Sequence, residues 1–109
     1  MDEEWQRERA TLSDKTAREE FGLTQEDIVR AVRAGRLQYR VNSMYGNPYL
    51  RLLRREVEAL VRDKLGRRYL EDRKAQTEVK GINRELKRLK RQIAALEERR
   101  SKLMAGLPK

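Results

Sequence analysis

The chain has 109 residues, 41% of them charged and 38% hydrophobic, with a formal net charge of +9. That is one small domain plus an extension, with too little apolar material for a large core. Cysteine and histidine are both absent, which sets aside disulfides, thiolate or imidazole metal sites and the commonest general base.

No apolar run nears the roughly 20 residues of a membrane helix, and the opening MDEEWQRERA is acidic and polar where a signal peptide is basic and then apolar. The expected location is the cytoplasm, on the nucleoid in a bacterial cell. Residues 1 to 27 carry four Arg/Lys against nine Asp/Glu, whereas residues 28 to 109 carry 23 against nine. A chain polarised in this way suits a polyanion, an anionic membrane or an acidic partner, although lysine- and arginine-rich helices are also ordinary solvated surfaces.

Residues 1 to 10 form an acidic N-terminal segment in which Trp5 either docks on the domain or hangs free. From residue 11 the pattern predicts a helix capped by Ser13 and running to about Phe21, then a turn at Gly22. Thr24 and Asp27 make a capping box for a second helix over 25 to 34, closed by Gly35. Ala17, Phe21, Leu23, Ile28, Ala31 and Val32 are spaced to pack these helices across one seam, in a helix-turn-helix or a plain helical hairpin. Arg18 stands where a helix-turn-helix usually has a small residue. Arg30, Arg33 and Arg36 line the second helix and its exit, away from Ile28 and Val32, as contacts to phosphates or base edges require.

Leu37, Tyr39 and Val41 alternate with polar residues, the mark of a half-buried strand. The turn-rich NSMYGNP then predicts a hairpin tip over about 42 to 48. Two readings of the next segment stay open: a return strand over 49 to 53, or a helix begun at Pro48 with Tyr49, Leu52, Leu53 and Val57 on one face. RREVEALVRDKLG is helical on either reading, with Val57, Leu60, Val61 and Leu65 turned to the core and Gly66 as its stop. Tyr39 and Tyr49 suit the core as well as a contact, while Tyr45 beside Gly46 is placed for contact.

From LSDKTAREEFGLTQEDIVRAVRAGRLQYRVNSMYGNPYLRLLRREVEALV, residues 11 to 66 resemble the winged-helix DNA-binding domain of mercury-resistance-type (MerR) regulators and phage excisionases. FGLTQEDI, GNPY and YLRLLRREVEAL are most similar to the DNA-binding part of the xeroderma pigmentosum group A repair proteins and their bacterial relatives. That family's zinc module has no counterpart in a chain without cysteine. The resemblance implies a second helix in the major groove, served by Arg30, Arg33 and Arg36. It also implies a wing on the backbone or minor groove, served by Arg40, Asn42, Tyr45, Asn47 and Arg51, and it favours the strand over 49 to 53.

Residues 67 to 109 read as a basic coiled-coil helix. Val79, Ile82, Leu86, Leu89, Ile93, Leu96, Arg100 and Leu103 recur at alternating steps of three and four, a heptad seam broken at a single a position by Arg100. Leu at most d positions with Val79 and Ile93 at a favours a parallel two-stranded coil, in which Glu85 meets Lys90 of the second copy. An antiparallel arm folded back on its own domain fits the same stripe. Lys80, Arg84, Lys87, Arg88, Lys90 and Arg91 lie alongside the seam rather than ahead of it, unlike a basic zipper.

The expected fold is therefore mainly α with a small β-hairpin: a winged helix-turn-helix domain and a long C-terminal helix. No phosphate-cradling glycine loop or Gly-x-Ser-x-Gly occurs, and Glu19-Glu20, Glu26-Asp27 and Glu97-Glu98 are neighbours that point apart on helix surfaces. The expected function is non-enzymatic DNA binding by a homodimer, as a small regulator or excisionase-like architectural factor. It needs no cofactor, small-molecule substrate or membrane, and its expected partner is double-stranded DNA. The alternative is a coiled-coil adaptor for a partner protein, its basic surface serving only solubility.

Overall fold

The computed structural model describes residues 3 to 108, so the first two residues of the acidic segment and the last of the helical tail lie outside it. Among the described residues the order is α1 (Glu3–Gln6), β1 (Thr11–Ser13), α2 (Asp14–Phe21), α3 (Gln25–Arg33), β2 (Tyr39–Met44), β3 (Asn47–Leu53), α4 (Arg54–Leu65) and α5 (Arg67–Ala105). The protein is mainly helical, with a small antiparallel sheet in the order β1-β3-β2. Cα packing separates two compact units, residues 1 to 75 and 76 to 109.

The predicted caps form as read. The Ser13 hydroxyl accepts from the Thr16 backbone N–H, and Gly22 ends α2 at φ 70°. Thr24 and Asp27 exchange both hydrogen bonds of a capping box, each 3.0 Å. The seam between α2 and α3 closes into a core of Leu12, Ala17, Phe21, Leu23, Ile28, Ala31, Leu37, Leu52, Val57, Leu60, Val61 and Leu70.

Residues 49 to 53 are strand, not helix. The extended conformation wins because β3 becomes the central strand, pairing Leu52 with both Leu12 and Tyr39. The pairing with β1 turns the expected two-stranded hairpin into a three-stranded sheet. Pro48 is tolerated there because β1 reaches only from Leu53 to Arg51. Leu50, two residues on, donates its N–H to Asp14 on the β1 side, so the donor that proline lacks would have faced an open edge.

Three expectations are corrected. The tip is not a loop over 42 to 48: Asn42, Asn47 and Pro48 sit in strands, and the reversal is the two-residue turn Tyr45-Gly46. Both turn residues have positive φ, 53° and 82°, the mirror-image geometry whose twist matches a hairpin. Tyr39 and Val41 occupy the core-facing parity, opposite Leu52 and Leu50, but are 51% and 63% exposed. They lie on the edge strand, where the helical layer does not cover them. Leu65 is likewise exposed, because the last turn of α4 runs past the core before Gly66 stops it at φ 95°.

The compact unit also takes in the start of α5. Leu70 is buried, and the Tyr69 hydroxyl donates to the Phe21 carbonyl over 3.0 Å. The Arg73 guanidinium donates to the carbonyls of Glu19 and Glu20 over 2.8 and 2.9 Å. These groups satisfy the last carbonyls of α2, and the cation suits the negative end of its dipole.

Candidate nucleic-acid interface

Helix α3 is fixed at its start by the capping box and clamped to the end of α4, where the Lys64 ammonium lies 3.0 Å from Asp27. Hydrogen bonds from the Thr24 backbone N–H, then from Lys64 and the Thr24 hydroxyl, hold the Asp27 carboxyl down at about 2. With Ile28 and Ala31 buried beneath the helix, Arg30 and Arg33 face solvent. Arg30 pairs with Glu26 over 2.7 Å, and Arg36, beyond the helix, pairs with Asp63 over 2.6 Å. Arg33 has no ion-pair partner among the described residues. Exposed pairs of this kind are worth about 0–1 kcal/mol, so a phosphate can compete for both paired guanidiniums.

The strands carry the other predicted residues on a different face. Arg40 pairs opposite Arg51 and Asn42 opposite Tyr49, while Leu52 and Leu50 take the core-facing parity. Arg40, Asn42, Asn47 and Arg51 therefore share the face of the sheet turned away from the core. Trp5 covers part of that face: its indole lies 4.5 Å from the Arg40 guanidinium and 5.9 Å from that of Arg51, within cation–π range. Arg51 also donates to the Trp5 carbonyl and to the Thr11 hydroxyl. The Glu4 carboxylate accepts two hydrogen bonds from the Arg55 guanidinium, which lower its carboxyl below the usual range. Trp5 thus docks, buried outside the main core cluster.

At the hairpin tip Tyr45 is 97% exposed. Together with Asn47, Tyr49 and Arg51 it lines a groove of about 500 Å³ whose other wall holds Ser13, Lys15 and Thr16. Tyr45, Asn47 and Arg51 thus meet on one groove, which Arg30, Arg33 and Arg36 do not line. Lys15 and Thr16 are additions that the sequence does not single out. The only local sign of them is their place in the first turn of a capped helix.

The seam residues Val79, Ile82, Leu86, Leu89, Ile93, Leu96 and Leu103 are exposed by 40% to 64%. Helix α5 runs through Gly81 without reversing, so the stripe does not fold into a hairpin within it. No described helix is long and apolar enough to cross a membrane, and no cluster of metal-ligating side chains occurs among the described residues. No family model, curated protein or solved structure matches the chain.

Proposed function

We propose that the chain is a non-enzymatic DNA-binding protein. It docks a winged helix-turn-helix unit on duplex DNA and dimerises through α5, as a small regulator or excisionase-like architectural factor. The observation that carries the reading is the outward face of α3. A capped, core-anchored helix presents Arg30 and Arg33 to solvent, with Arg36 at its exit. The order helix, turn, helix, hairpin, helix supports a winged helix of the regulator, excisionase or repair-protein kind. The exposed Tyr45 tip supports a wing that reaches sugar and phosphate.

A gel shift over a salt series tests this. Affinity should fall steeply with salt. Arg30→Ala with Arg33→Ala should cost about 1–3 kcal/mol for each guanidinium that reads a base edge. The exposed apolar seam favours a second reading, a coiled-coil adaptor, which predicts indifference to both changes.

A further inference from the structure

Lys80, Arg84, Lys87 and Arg91 follow one another along α5 at steps of four, three and four, at heptad positions b and f, away from the apolar seam. All four are exposed, and none has an ion-pair partner among the described residues. Positions b, c and f between 80 and 91 hold no carboxylate, and Arg88 at c is tied to Glu85 at g.

In the compact unit several surface cations are matched, Arg36 with Asp63, Arg54 with Glu20, Arg55 with Glu4 and Lys64 with Asp27. Others, Arg33 and Arg62 among them, also lack an ion-pair partner among the described residues, but they do not follow one another along one helix face as the four on α5 do. Farther along α5 the signs are interspersed again, and Lys102 pairs with Glu98. Solubility alone is served by mixed signs. Like charges three and four residues apart on a helix repel one another, so a run confined to one face marks a surface that gains from a polyanion.

We propose that this stripe is a second phosphate-binding surface that takes the backbone of a nucleic acid. The proposal rests on the reading of the chain as a nucleic-acid binder, but on different residues from α3. At a rise of about 1.5 Å per residue the four cations span about 16 Å, while duplex DNA carries one charge per roughly 1.7 Å of axis. The stripe therefore faces several phosphates at once. A membrane surface is the poorer match, because interfacial helices insert an aromatic-bearing apolar face. Residues 76 to 109 contain no Phe, Trp or Tyr, and their apolar positions keep the heptad period of a helix–helix seam.

The test uses the full chain with Lys80, Arg84, Lys87 and Arg91 all changed to Gln, and the two half-variants K80Q/R84Q and K87Q/R91Q. Circular dichroism and sedimentation first establish that helix and assembly state match the parent. Affinity for a fluorescent duplex of mixed sequence is then read over a salt series. Each phosphate contact contributes about 0.9 to the slope of log affinity against log salt, so the fourfold variant should lose about two to four units of slope and each half-variant about half of that. Unchanged slopes in all three variants, with the parent still binding, overturn the proposal.

An R30A/R33A variant measured alongside separates the two readings. Loss confined to R30A/R33A leaves α3 standing and removes the stripe, whereas loss confined to the stripe variants does the reverse. A parent that ignores the duplex even at low salt removes both. Stripe-dependent sedimentation with phosphatidylserine vesicles, without stripe-dependent duplex binding, replaces the nucleic acid by a lipid surface and overturns the proposal as stated.

Discussion

At the scale of single residues, Asp27 and Trp5 show two kinds of anchoring. Asp27 is held by its own capping box and by Lys64. Its folded value of about 2 lies below the ordinary aspartate value of about 4. Its contribution is therefore complete above about pH 4 and lost as pH falls through about 2. Denaturant midpoints should drop across that window, and Asp27→Asn should remove its share of the slope. Trp5 is anchored by distant groups: the carbonyl that Arg51 reaches and the guanidiniums its ring covers. At 6% exposure, its replacement by Ala should cost about 3 kcal/mol or more, read from chemical unfolding followed by circular dichroism. The capping box is written within four consecutive residues and was legible. The docking of Trp5 depends on arginines 35 and 46 positions away in the chain, which no local pattern reports.

At the scale of elements, the same contrast decides what a sequence discloses. The caps of α2 and α3, the glycine stops and the long helix α5 rest on local patterns and appear where expected. The alternation over 37 to 41 gave the right parity but not the cover, since exposure on an edge strand depends on which helices lie over the sheet. Strand β1 carries no signal of its own because its three residues end on the N-cap Ser13 and are too few to mark a strand by alternation; pairing with Leu53, Leu52 and Arg51 makes them one. Of the candidate site, the solvent-facing arginines of α3 were legible from helical period. The shared face of Arg40 and Arg51, and the Trp5 that lies on it, were not. Helix α5 offers a direct check on local propensity. Gly81 is helical, its φ is not positive, and an added Cβ would meet nothing within 4 Å. Gly81→Ala should therefore stabilise the helix by about 1 kcal/mol, seen as a higher melting temperature of the 222 nm signal.

At the scale of the whole molecule, stability comes from different sources in the two units. The core cluster draws no residue from beyond Leu70, and residues 76 to 108 contain no buried side chain. A helix with an uncovered apolar stripe gains little from propensity, because most helical stability comes from packing an apolar face. In the dimer we propose, a second copy would supply that face: Leu86, Leu89 and Ile93 would become knobs in a two-stranded seam and leave water. Two consequences separate this from a helix that stands alone. Helix content should fall on dilution, since a dimer's stability includes the protomer concentration. Leu89→Asp, a charge at the middle of the seam, should leave a 13.0 kDa monomer in sedimentation and lower the 222 nm signal. The emission of Trp5, the only tryptophan, should stay as in the parent, because its surroundings belong to the other unit. A Leu89→Asp chain that still sediments as a dimer would place the self-association surface elsewhere. One that loses the Trp5 signature would mean that the two units do not stand independently.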